Sequence, residues 1–382
     1  MTQFVDPYLG RRLLGREEAE ALAQVVRAQA LFRYTRPNTS QSRQLEHEIS
    51  TLLGAPEVVA VSSGTMGLQA ALMALAPEVG DFVLVPALTF IATAAACLAA
   101  AVVPICVDTD AQGHMSPDAL QQALARLARP PRAVIFVHLD GAGGRIEEVA
   151  EICASQRVAL LEDVAQALGG SRAGMPLGTF GQVGCFSLQE NKVIGSGEGG
   201  FVVCSGADLA DRLRAYIDQG CLRDADGMPS WRADLGYGIN GRIGELQAAV
   251  ARVQLRRLPH IQSALRSGYA RIVGRAPAGL VVDRNEEDLK VSAWCQRAAW
   301  AETSLPGCAP AYDWSRYLLP THPIIMGRRS PYGDRFPWPK EGRLPQFPTP
   351  MAARVARERV CLPVPVVEQD LCAIERILEN VR

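Results

Sequence analysis

Short β-branched apolar runs alternate with helix-length patterns between about residue 57 and residue 205. Val58–Val61, Phe82–Val85, Val103–Val107, Ala133–His138, Val158–Leu161, Val183–Ser187 and Gly200–Cys204 read as strands. Each is short and nearly continuous in apolar character, as a strand buried on both faces must be. Between them, Thr65–Leu75 and Ile146–Ser155 have helical length and apolar spacing. Strands separated by helices imply βαβ units and an α/β fold with a mostly parallel sheet covered by helices. Ligands in such sheets sit beyond the carboxyl ends of the strands, so the chemistry is expected there.

The pattern changes further along. Residues 207–258 read as helical, ending in IGELQAAVARVQLRRL. After Pro259 the chain turns rich in Pro, Gly, Trp and Arg through 305–350, then closes on a helix at Glu368–Val381. This predicts a large domain over 1–255, with an N-terminal helical segment, and a smaller C-terminal α+β domain over 256–382. Residues 87–107 carry no charge and are long enough to span a bilayer. They are dominated by Ala and interrupted by Pro104, so a buried helix near 90–100 and a strand near 103–107 fit better. No apolar leader opens the chain, and a cytoplasmic protein without a membrane segment is expected.

Composition narrows the partners. The chain of 382 residues has room for two cores, and 48% apolar with 21% charged residues is ordinary for a globular protein. A formal net charge of −1 gives no electrostatic reason to expect nucleic acid or an anionic membrane. The ten cysteines form no CxxC pair, and several lie inside apolar strings such as FVVC. They read as buried, reduced thiols. No metal site is expected, because neither Cys nor His pairs occur at ligand spacing.

Three segments can carry chemistry. In LLEDVAQALGG, Asp163 ends an apolar strand; Lys192 follows a second strand and precedes the glycine-rich GSGEGG. A lysine and a carboxylate at two strand ends of one sheet suit an electron-sink cofactor, with lysine forming a Schiff base and the acid holding a pyridine nitrogen. A structural salt bridge beside a glycine loop explains the same spacing. In VAVSSGTMGLQAALMAL, a strand runs through Ser62, Ser63, Gly64 and Thr65 into a helix, whose first N–H groups make an anion site. Ser and Thr are also ordinary helix caps there. Phe90 near a strand end can stack on an aromatic ring or simply belong to the core.

These blocks, in this order, resemble the DegT/DnrJ/StrS family of sugar aminotransferases, which are fold-type-I pyridoxal-phosphate enzymes. LFRYTRP, SSGTMGLQAAL, VPALTFIATAAA, VHLDG, LLEDVAQALGG, GCFSLQENKVIGSGEGG, GYGINGRIGELQAAVARVQL and CLPVPVVEQDL carry the resemblance over most of the chain. It implies pyridoxal 5'-phosphate on Lys192, with Asp163 pairing the pyridine nitrogen. Ser63, Gly64, Thr65 and Ser187 would hold the phosphate, Gln166 would contact the ring hydroxyl and Phe90 would stack over the ring. Asn240 in GINGR would reach the phosphate of a neighbouring subunit, which implies a homodimer with shared active sites; read alone, it is a turn residue. The implied reaction moves an amino group from glutamate or glutamine to a keto-sugar or keto-cyclitol. A lyase or oxidase on a similar substrate is the alternative.

Departures from the family fall at Gln189, where a His is common, at Asp140, where HLYG is common, and at Gly241, where an aromatic is common. They leave amino transfer standing and bear on the acceptor. Gln189, Asp140 and the 312–343 loops are candidate acceptor contacts, and Arg328 and Arg329 are candidate clamps for a carboxylate or phosphate.

Overall fold

The computed structural model describes residues 10–281, 288–298, 317–330, 333–334, 337–338 and 344–379. Helices α1 (Arg16–Arg27) and α2 (Gln41–Leu53) lead into a seven-stranded sheet. Its strands are β1 (Glu57–Val61), β2 (Phe82–Pro86), β3 (Val103–Val107), β4 (Ala133–Val137), β5 (Ala159–Asp163), β8 (Val183–Ser187) and β9 (Gly200–Cys204). A two-residue hairpin, β6 (Ser171–Arg172) with β7 (Met175–Pro176), lies between β5 and β8. The order is β1-β9-β8-β5-β4-β2-β3, and β9 alone runs against its neighbours.

Alternation along each strand builds the two faces. On one face Val59, Val61, Val83, Val85, Ile135 and Cys185 pack against α3 (Gly64–Ala74), α4 (Ile91–Ala99) and α7 (Ala207–Ile217). On the other, Leu84, Val134, Phe136 and Leu160 meet α5 (Pro117–Arg126) and α6 (Ile146–Gln156). Beside them, Val58, Ala60, Phe186 and Phe201 meet α2, α8 (Glu245–Arg256) and α9 (Leu258–Arg275). The charge-free stretch is α4 followed by β3, both inside this double cover. Among the described residues, no helix is long and apolar enough to cross a membrane.

Two expectations are corrected. Residues 207–258 are not helical throughout. After α7 comes a hairpin, β10 (Cys221–Arg223) with β11 (Pro229–Trp231), and then irregular chain up to α8. Gly220, Gly227 and Gly236 have φ of 82°, 82° and 71°, which a helix cannot accommodate. Strand β5 also runs on through Glu162 and Asp163, past the expected end at Leu161. Both carboxylates have partners, so the strand stays buried despite its charges.

Beyond α9, β12 (Ser292–Gln296) pairs antiparallel with β15 (Arg359–Pro363), with a hairpin of β13 (Arg329–Ser330) and β14 (Gly333–Asp334) between them in sequence. Helices α10 (Pro323–Gly327), α11 (Pro350–Glu358) and α12 (Glu368–Glu379) complete this part. Val381, the expected end of the last helix, lies outside the described residues. Nine described cysteines are free, seven of them buried; Cys308 lies outside the described residues. Burial pushes the thiols of Cys106, Cys153 and Cys295 up to about 12, so they stay protonated and inert.

Candidate active site

One cleft opens at the carboxyl ends of β1, β2, β4, β5 and β8. Ser63, Gly64, Thr65, Phe90, Asp163, Gln166, Ser187 and Lys192 all line it, as do Gln189 and Glu198. Asn240 does not line it. It is exposed, in backbone pairing with Asp218 on the irregular stretch before α8.

The floor is the α3 N-terminus. Ser63 caps the helix by accepting from the Met66 amide at 3.0 Å, which spends one of the free N–H groups. The amides of Gly64 and Thr65 begin the helix, have no intrahelical acceptor, and belong to residues that line the cleft. Glycine is required at 64, since a Cβ there would lie 2.9 Å from the Ser187 Cβ. Two backbone amides and the Ser187 hydroxyl therefore converge at the positive end of a helix dipole, a donor set suited to a phosphate.

Asp163 closes the opposite side. It is buried, with Oδ2 accepting from the Thr93 hydroxyl at 2.9 Å and Oδ1 from the Ala165 amide at 3.2 Å. Thr93 is in turn 3.0 Å from the hydroxyl of Thr89, which lies just before α4. Burial raises the Asp163 carboxyl above its ordinary range, and the Thr93 bond and the Ala165 amide oppose this. Both bonded partners are neutral, so a cation in the cleft would be strongly stabilised.

Lys192 stands on the loop between β8 and β9. Backbone bonds from Leu188 to Gly199 (2.9 Å), Glu190 to Gly197 (3.0 Å) and Lys192 to Gln189 (2.9 Å) make this loop a compact double turn. Burial lowers the Lys192 ammonium below its ordinary value, and the charges of Asp163 and Asp140 oppose the shift. A lysine whose ammonium is weakened by burial, in one cleft with a buried carboxylate, is a site suited to nucleophilic and proton-transfer chemistry.

The remaining residues are set by short contacts. Gln166 Oε1 accepts from the Asp140 amide at 2.7 Å, which leaves its own N–H groups for the cleft. Phe90 is 49% exposed at the mouth, its ring 5.6 Å from that of Tyr317, so it is not a core residue. Behind Asp163, His138 bonds Glu162 at 2.8 Å, and Glu162 also accepts from the amides of Gly178, Phe180 and Gly181. This network keeps the charged end of β5 in register.

Several residues were not legible in advance. Thr89, Thr93 and Glu198 were missed, although two threonines four residues apart at the start of an otherwise Ala-rich stretch were a usable signal. Asp140 is corrected as an acceptor contact: its carboxylate is buried and turned toward Trp294, away from the cleft. Arg328 is exposed beside a separate groove with Ile105 and Phe347, so it does not clamp a ligand in this cleft. The Arg329 side chain and residues 312–316, 331–332, 335–336 and 339–343 lie outside what is described.

Residues 13–304 match the DegT/DnrJ/EryC1/StrS aminotransferase family. The chain belongs to this family. Over 238 residues it is 36% identical to UDP-N-acetyl-3-dehydro-alpha-D-glucosamine 3-aminotransferase of Acidithiobacillus ferrooxidans, covering 62% of this chain and 60% of that protein. Over 245 residues it is 35% identical to L-glutamine:2-deoxy-scyllo-inosose aminotransferase of Streptomyces fradiae, covering 63% and 57%. The matched part thus spans about 60% of the length of these curated relatives. The crystal structure of AtS13 from Actinomadura melliaura superposes with a TM-score of 0.81 at 25% identity, covering 99% of each chain. The likeness in fold to that structure therefore runs through the C-terminal part as well.

Proposed function

We propose that this chain is a pyridoxal 5'-phosphate-dependent aminotransferase. It moves an amino group from glutamate or glutamine to a keto-sugar or keto-cyclitol. The observation that carries the reading is the convergence, in one cleft, of a lysine with a depressed pKa, a buried carboxylate lacking a bonded cation, and an anion cradle at a helix N-terminus.

When bound, the cofactor supplies an electron sink for negative charge developing beside the transferred nitrogen. Lys192 would be the residue that holds it, and its neutral Nζ would serve as the base that takes and returns the donor's α-proton. Asp163 would hold a proton on the pyridine nitrogen. Gly64, Thr65 and Ser187 would hold the phosphate, with Ser63 securing the helix that carries the two amides. Gln166 would contact the ring hydroxyl, and Phe90 would stack on the ring. The names of the two relatives support a keto-sugar or keto-cyclitol acceptor, and that of the Streptomyces fradiae protein supports glutamine as donor.

In this reading residues 1–255 form the cofactor-binding domain and 256–382 the smaller one. The active unit is a homodimer in which Asn240 reaches the partner's phosphate. Supporting this, Asn240 lies outside its own cleft, and the same stretch exposes Met228, Trp231 and Tyr237.

The deciding experiment is the visible spectrum of the purified protein before and after excess L-glutamate or L-glutamine. A yellow band that bleaches with donor, and is absent in Lys192→Ala, is the expected result. A band that neither donor bleaches, with ammonia released from the substrate, would favour the lyase or oxidase alternative. A protein that stays colourless with added pyridoxal phosphate would overturn the proposal.

A further inference from the structure

Asp140 sits where three parts of the molecule meet, and its backbone is unusual. It follows β4 with φ 53°, in the left-handed region that few residues other than Gly, Asn and Asp adopt readily. Its amide donates to Gln166 Oε1 at 2.7 Å. Its carbonyl accepts from the Val291 amide at 3.1 Å. Its carboxylate Oδ2 accepts from the Trp294 indole Nε1 at 2.5 Å and from the Cys361 thiol at 3.4 Å.

Trp294 and Cys361 are register partners in the β12–β15 sheet. Both are buried, and Trp294 is held in turn by the close approach of Gly113, where a Cβ would lie 2.8 Å from the indole. The C-terminal sheet therefore grips Asp140 on one side while Gln166 hangs from it on the other. Reversing the Gln166 amide would set its NH2 against the Asp140 N–H, two donors face to face. The orientation of Gln166 is thus decided by a backbone amide whose direction depends on the φ of Asp140.

We propose that Asp140 is a positioning residue: clasped by Trp294 and Cys361, it fixes Gln166 with its N–H groups toward the cleft and so couples the β12–β15 sheet to the cofactor ring. This rests on the pyridoxal-phosphate reading of the cleft. Aspartate at this position serves the reaction without touching substrate, through the carboxylate that Trp294 and Cys361 hold. A donor from Gln166 stabilises negative charge on the ring oxygen, which lowers the pH at which the bound cofactor gives up its proton.

The test is a pH titration of the visible absorbance of the loaded enzyme, together with thermal unfolding of the cofactor-free protein, for Q166A, D140A, W294F and D140N. Q166A is expected to raise the titration midpoint by up to about one unit, the scale of one hydrogen bond felt by a single protonation state. W294F is expected to move it the same way by less. D140A and D140N both remove the Asp140 charge felt at Lys192, so they are read against each other: D140N, which tolerates positive φ and keeps an oxygen for Trp294, should titrate below D140A. If W294F lowers the unfolding midpoint but leaves the titration unmoved, and D140A and D140N titrate alike, while Q166A shifts it, the clasp is structural and the proposal falls. It falls equally if Q166A itself does not move the titration. A parent enzyme with no titrating visible band would instead remove the cofactor reading, and this inference with it.

Discussion

At Asp163, burial and function pull in opposite directions. The carboxylate is 7% exposed, and its pKa is raised because its two bonds, from Thr93 and Ala165, do not replace what water would supply. A folded pKa above the unfolded one means that ionised Asp163 costs stability above the folded pKa, a cost that vanishes below about 3.9, the ordinary Asp value. Asp163→Asn should therefore raise the unfolding midpoint of cofactor-free protein at pH 8, and the gain should disappear as the pH falls below about 3.9. A gain that persists below that pH would show that the charge is not the cause. The same substitution should weaken cofactor retention. Thr93→Val keeps the shape but removes a donor to a buried carboxylate; a loss of about 1–3 kcal/mol is expected in urea unfolding.

Among the elements, α3 carries the anion site because of what precedes it. Strand β1 delivers Ser63 as the cap and Gly64 as the point of closest approach to β8. The two residues separate structure from binding. Ser63→Ala should cost about 1 kcal/mol of stability through the lost cap. Gly64→Ala places a Cβ against Ser187, so its main effect should be weaker binding of cofactor. Equilibrium dialysis against pyridoxal phosphate, set beside thermal unfolding, distinguishes them. Equal losses of binding and stability in both variants would mean that the α3 start is simply a capped helix. The β8–β9 loop follows the same logic: Gly197 at φ 87° and Gly199 at φ 147° let the chain double back across Lys192.

At the scale of the whole molecule, Asn240 is exposed and lies outside its own cleft. Met228, Trp231 and Tyr237 are 63%, 69% and 83% exposed on and after the β10–β11 hairpin. Apolar side chains so grouped are costly in water and suit a second copy of the chain. A homodimer is expected by light scattering, and Trp231→Glu should shift it toward monomer. Asn240→Ala and Lys192→Ala are each expected to lose activity. Refolded together, they should recover part of it, because one mixed site then has both intact halves. No recovery would mean that Asn240 serves its own subunit.

The seven sheet strands were readable from short apolar runs, because a strand covered on both faces must be apolar at nearly every position. The positions of Asp163 and the Ser63–Thr65 turn at strand ends, and of Lys192 on the loop after β8, were readable as well, since polar groups there have no place in a core. Local pattern could not reveal what lets Glu162 and Asp163 stay buried at the end of β5, because their partners, His138, Thr93 and three backbone amides, come from distant chain. Nor could it separate the 218–244 stretch from the helices around it. The role of Asp140 was the least accessible. A carboxylate after a strand faces the ligand or the interior according to which side chain meets it, and here Trp294 lies 154 residues away in sequence. Sequence by itself determined the sheet and the chemistry at its edge, because both depend on residues close together in the chain. Only the tertiary structure decided which polar groups are paired away and which are left facing the cleft, because that depends on contacts between segments that the chain keeps far apart.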